Sequence, residues 1–213
     1  MAPDRLTEVL DATYDCLTRY GVRRTTVDDI AGAMNVSRSA VYQYVRGKDD
    51  AFRRLAERLH DRALERARRA ASADAPLTTR VRGVLEAKLA LVLELAGDSP
   101  HTAELLDEKA RLFGDICHRF TADLRALLIG VFTESGLQDP GTPAADTARA
   151  GAGEAEGAAG ADADAVGAAE AADIGIALVL GLESVPGGER LLAPAVDALV
   201  AGLLGEAAER AAR

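Results

Sequence analysis

Tryptophan is absent from this chain of 213 residues, and cysteine and methionine occur only twice each. Cys16 and Cys117 stand far apart and without CxxC spacing, which excludes a disulfide framework and argues against a zinc site. Two thiols packed as small hydrophobes suit a reducing compartment, so a cytoplasmic location is expected. No apolar run reaches the ~20 residues of a spanning helix, and no membrane partner is expected. Asp4, Arg5 and Glu8 stand where a secretory signal would need an apolar stretch. Strand alternation and Asn-Gly hairpin signals are missing. So are GxSxG, HExxH, P-loop and GxGxxG motifs and any Cys/His ligand set, so no catalytic residue, cofactor or metal is expected.

Charge is unevenly distributed along what remains. The formal net charge is −9, yet residues 1–70 hold 14 basic against 11 acidic side chains, and residues 71–213 hold 11 against 23. Residues 19–48 carry six basic side chains against Asp28 and Asp29 alone. Such asymmetry points to an end that meets nucleic acid and an acidic body that phosphate repels. All four tyrosines (Tyr14, Tyr20, Tyr42, Tyr44) fall in the first 44 residues, while three of four phenylalanines lie between 113 and 132. Two units with different tasks are implied.

Helical periodicity runs through almost the whole chain, so the fold class is all-α. Leu6, Val9, Leu10, Thr13, Leu17 and Tyr20 share one face of a first helix, which Gly21 ends. Thr26 and Asp29 form a capping-box pattern for a second helix with Val27, Ile30, Ala31 and Met34 inward. Asn35 tolerates the sharp turn that follows, and Ser37 caps a short third helix with Val41, Tyr44 and Val45 inward. A fourth helix starts at Lys48-Asp49-Asp50 and runs to about Ala71; its Arg54, Arg58, Arg62 and Arg66 stripe reads as an ion-paired face. Pro76 opens a fifth helix. A sixth, beginning at Ser99-Pro100, continues to Gly136 with a break near Gly114.

Residues 140–172 differ in kind: 15 alanines, six glycines and six acids against Arg149. A segment that can bury so little reads as a flexible acidic linker whose end winds into the next element. Two apolar helices follow, near 174–185 and 194–208, with Pro194 in or near the first turn of the second. Their apolar character calls for a partner surface, which a four-helix homodimer interface supplies.

Function concentrates in the short third helix. Arg38, Ser39, Tyr42 and Gln43 turn away from its apolar face and are residue types that bond phosphates and base edges. Thr25 and Thr26 on one side and Lys48 on the other are placed to grip the backbone. Spacing and chemistry together describe a helix-turn-helix from about Val27 to Val45.

The stretch from Val9 to Leu55, including TTVDDIAGAMNVSRSAVYQYVRGKDDAF, resembles the DNA-binding domain of the TetR family of repressors. Matching positions are Thr25, Thr26, Ile30, Ala31, Val36, Ser37, Tyr42, Tyr44 and Lys48. Asn35 replaces the usual Gly, Val41 the usual Leu, and Val45 the usual Phe. The resemblance implies a DNA-binding domain over residues 1–47 and a helical effector-binding and dimerisation domain over 48–213. It implies DNA contacts from Thr25, Thr26, Ser37, Arg38, Ser39, Ala40, Tyr42, Gln43, Tyr44 and Lys48. It further implies about nine helices, a homodimer on a palindromic operator in double-stranded DNA, and release by a small-molecule effector. His101, Glu104, Phe113 and His118 are the candidate effector contacts. Two alternatives carry different functions: a helical protein–protein interaction module, and a helical enzyme without a DNA-binding role.

Overall fold

The computed structural model describes residues 4–97, 101–137 and 166–211, apart from the side chains of 95–97, 102–111 and 206–211. Eight helices and no strand occur among the described residues. They are α1 (Arg5–Arg24), α2 (Val27–Ala33), α3 (Arg38–Val41), α4 (Lys48–Ala71), α5 (Leu77–Gly97), α6 (Thr102–Glu134), α7 (Ala168–Glu183) and α8 (Gly188–Ala211). They form two compact units, one within Met1–Ala67 and Ala87–Asp123, the other within Arg68–Glu86 and Leu124–Arg213.

In the first unit the opening helices close on a small core of Val9, Ala12, Cys16, Val27, Ile30, Ala31, Val41, Val45 and Ala51. The spacing of these residues at three and four puts them on one face of each short helix, which is why seven- and four-residue helices hold at all. Gly21 takes φ 78° and breaks α1, leaving Val22–Arg24 as a separate turn. Phe113, at φ −150° and ψ 26°, interrupts α6 one residue before the expected Gly114.

In the second unit, α7 packs on α8, and Leu85, Leu124, Leu128, Phe132, Val179, Val196 and Val200 are buried. A Cβ on Gly175 would meet Leu128 and Leu85 at 3.6 and 3.8 Å, so α7 seats its backbone directly on those leucines. The α7–α8 turn needs its glycines: Gly187 has φ 73°, and a Cβ on Gly188 would lie 2.1 Å from the Leu182 carbonyl. Arg80 bonds the Ala71 carbonyl and Glu134, and Arg125 bonds Asp173 through both carboxylate oxygens.

One expectation needs correction. The last helix starts at Gly188 and not near Pro194, which sits inside it. Proline there removes one backbone hydrogen bond, and its ring is exposed. Most of the expected linker, 140–165, lies outside the described residues. Its last part winds into α7, as the sequence suggests, with Ala168, Ala171 and Ala172 fully buried. Alanine is a good helix former, and its methyl fits where two helices approach closely.

Candidate nucleic-acid interface

Local rules position the α2–α3 pair. Thr26 accepts from the Asp29 amide at 3.2 Å, while the Asp29 carboxylate accepts from the Thr26 amide at 2.8 Å, a reciprocal capping box. Asn35 takes φ 54°, the left-handed turn between the helices. Ser37 accepts from the Ala40 amide and starts α3. Val41 and Val45 are buried beneath, and Tyr44 packs half-buried on the same core.

With Val41 inward, Ser37, Arg38, Ser39, Tyr42 and Gln43 stand exposed on the opposite side. Tyr42 is 43% exposed, unusual for so large a ring in a folded head. Arg38 is held along it: its guanidinium donates to the Tyr42 hydroxyl at 3.0 Å, stacks 5.4 Å from the ring centroid, and pairs with Asp28 at 3.3 Å. The face therefore offers two hydroxyls, an amide, a phenol and a cation together, the donor and acceptor set that groove edges and phosphates require.

Residues 9–55 match the family described as "Bacterial regulatory proteins, tetR family". The head is a tetR-family helix-turn-helix domain. Three solved structures share the fold of the chain. A Pseudomonas aeruginosa PAO1 protein classed as a transcriptional regulator is 22% identical with TM-score 0.64, over 97% of this chain and 93% of its own. A Thermobifida fusca regulator of the TetR/AcrR family is 16% identical with TM-score 0.57, over 94% and 98%. FadR of Bacillus subtilis, solved in complex with stearoyl-CoA, is 16% identical with TM-score 0.58, over 92% and 96%. No curated protein matches the chain closely enough to be a relative.

Not every residue expected on the DNA side of the tetR-family domain is there. Thr25 is fully buried, and its hydroxyl lies 2.7 Å from the Gly21 carbonyl and 3.1 Å from that of Cys16. Its neighbour Thr26 takes the exposed capping position, so of the Thr-Thr pair one side chain faces in and one out. Lys48 is also turned inward. Its ammonium donates to the Val22 and Arg23 carbonyls, each at 3.2 Å, and satisfies the last acceptors of α1. Ala40 is half-buried.

The effector candidates are dispersed. His101 lies 3.4 Å from the Arg24 guanidinium, His118 is exposed, and the Glu104 side chain lies outside the described residues. Phe113 is buried and lines an apolar cleft with Leu17, Val22, Phe52, Leu55, Leu59, His60 and Leu112. The cavity holds about 30 Å³, room for a water or two and not for a drug-sized molecule. The break at Phe113 leaves the Leu112 carbonyl open to Arg53, which donates to it at 3.2 Å and grips the Asp115 carboxylate through two nitrogens. That hydrogen bonding and the guanidinium charge hold Asp115 down to about 2. His60 escaped the sequence reading. Phe52, Leu55, Ala56, Leu59 and Ala63 flank it at helical spacing, a pattern that puts it on the inner face of α4.

Proposed function

We propose that the chain is a transcriptional repressor that binds a palindromic operator as a homodimer and is released by a small-molecule effector. One observation carries the reading: Arg38, Ser39, Tyr42 and Gln43 project together from a short, capped helix whose other side is anchored by Val41 and Val45. In this reading residues 1–47 bind DNA and 48–213 serve dimerisation and effector binding, in the cytoplasm and with no enzymatic step. The exposed apolar side chains Ile174, Leu180, Val185, Leu191 and Leu204 of the α7–α8 region are the surface a second copy would cover. A twofold dimer presents two heads to successive major grooves about 34–36 Å apart, which is why the operator would be palindromic. The stearoyl-CoA complex of the B. subtilis protein supports a ligand-responsive body on this fold. Phe113, with His101, Glu104 and His118, remains the proposed effector-contact set, and a ligand at the cleft has to displace Phe113 or Leu112.

The test is selection of bound duplexes from a random pool, followed by mobility shifts on the recovered sequence. A palindromic site bound by a dimer, with affinity falling steeply as salt rises, is expected. Recovery of no preferred sequence, or binding insensitive to salt, overturns the proposal.

A further inference from the structure

His60 lines the apolar cleft of the first unit, and beside the cleft it is paired with the thiol of Cys117. His60 is 8% exposed, and its Nδ1 lies 2.7 Å from the Ala56 carbonyl. A carbonyl only accepts, so Nδ1 carries the hydrogen and Nε2 presents a lone pair. Cys117 Sγ lies 3.4 Å from that Nε2, so the thiol donates to it. Phe120 stands edge-on to the imidazole with centroids 5.1 Å apart and fixes the ring. Cys117 itself is only partly buried and packs on Ala56, Phe113 and Ile116, where α4 and α6 meet beside the cleft.

The other thiol is a built-in control. Cys16 is 3% exposed, and burial, followed by the charges of Asp29 and Asp15, pushes it up, so it stays protonated. Reactivity belongs to the thiolate, and a neighbouring imidazole that can take the proton is what makes one accessible.

We propose that Cys117 is a modification site for small soft electrophiles of the α,β-unsaturated carbonyl class, with His60 as its base. The step balances without a co-reactant. Cys117 Sγ bonds the β-carbon as the carbon–carbon π bond opens, and the thiol proton passes to His60 Nε2. That proton is then returned to the α-carbon of the enolate, and nothing is oxidised or reduced. The added atoms must sit against Ala56, Phe113 and Ile116, a packed cluster that can accept them only if α4 and α6 separate. Adduct formation thereby loosens the packing of α4, which starts at the Lys48 contact with α1. The consequence for DNA, weaker operator binding, rests on the function proposed above; the modification does not.

N-ethylmaleimide on the full chain is the probe, read by intact mass and peptide mapping. One fast adduct is expected, at Cys117, formed at least about tenfold faster than at Cys16, and His60→Gln should slow it by about tenfold or more. Cys117→Ser keeps a donor to His60 and should fold while losing the fast adduct. Equal labelling of the two thiols, or a rate unchanged by His60→Gln, overturns the proposal. If His60→Gln does not fold, the parent chain decides: an activated Cys117 reacts faster folded than in urea, whereas a merely packed thiol reacts more slowly. Mobility shifts separate the two claims. An unmodified chain that binds no DNA sinks the function reading and leaves the mapping result standing. An adduct that forms without weakening DNA binding sinks the sensory role alone.

Discussion

Lys48 distinguishes two accounts of the head by a measurement that each predicts differently. As a phosphate contact, it would carry one unit of the salt dependence of DNA binding. The structure instead spends its ammonium on the Val22 and Arg23 carbonyls at the end of α1. Hydrogen bonds to a charged group contribute about 1.5–3 kcal/mol, and the negative end of the helix dipole adds about 0.3–1. Ordering the long lysine side chain takes back roughly 1.5–2 kcal/mol. The Lys48→Met substitution keeps the stem and removes the charge. It should therefore destabilise the chain by up to about 2.5 kcal/mol, a fall in melting temperature of up to roughly 10 °C for a chain of this size. The slope of log affinity against log salt should stay as it is in the parent. Calorimetry gives the first quantity and mobility shifts at several salt concentrations the second. A slope reduced by about one unit, with melting unchanged, refutes the inward assignment and restores Lys48 to the phosphate backbone.

Other expectations follow from the same geometry. Gln43→Ala should weaken the preferred site by roughly 1–3 kcal/mol and relax its sequence preference, read by repeating the duplex selection. Gly175→Ala and Gly83→Ala should differ in sign. The first meets leucine methyls at ordinary contact distance and gains up to about 1 kcal/mol of helix propensity, while the second puts a Cβ 2.6 Å from the rigid Ala70 Cβ; thermal melts compare them. The Arg53 guanidinium holds the Asp115 carboxyl below the usual carboxylate range in the folded chain, down to about 2. Its contribution is therefore present above the ordinary carboxylate value of 3.8 and is lost as pH falls toward about 2. Across that window Asp115→Asn should lose less melting temperature than the parent. Leu180→Glu with Leu204→Glu should give monomers in sedimentation and abolish operator binding with the head still folded, since both side chains are exposed in the single chain; an intact dimer contradicts the proposed interface.

The head was legible in the sequence because its geometry follows from neighbours in the chain. Thr26 with Asp29, the left-handed Asn35, Ser37 and the glycine end of α1 each act over four residues or fewer. Where long-range packing decides, local rules fell short. Thr25 and Thr26 are the same residue type at adjacent positions, and only the fold turns one toward Cys16 and the other toward solvent. Lys48 reads as a free cation until its partners 25 and 26 residues earlier are known. Composition suggests that the end of the 140–172 segment winds into a helix, but not that Ala168, Ala171 and Ala172 are fully buried there, where small side chains suit a close helix contact. The pairing of His60 with Cys117 spans 57 residues and leaves no local trace.

The tether on Arg38 bears on how such a head would bind. Away from its site, the guanidinium is already occupied by Asp28 and the Tyr42 hydroxyl. A phosphate has to compete for it with a carboxylate partner, although an exposed pair of this kind contributes only about 0–1 kcal/mol. On the operator proposed above, a fork of acceptors on a base edge would draw the arginine from Asp28, and Tyr42 would move with it. The same cation that would read the operator is thus lightly pre-held along Tyr42, so binding would exchange one set of partners for another instead of ordering a free side chain.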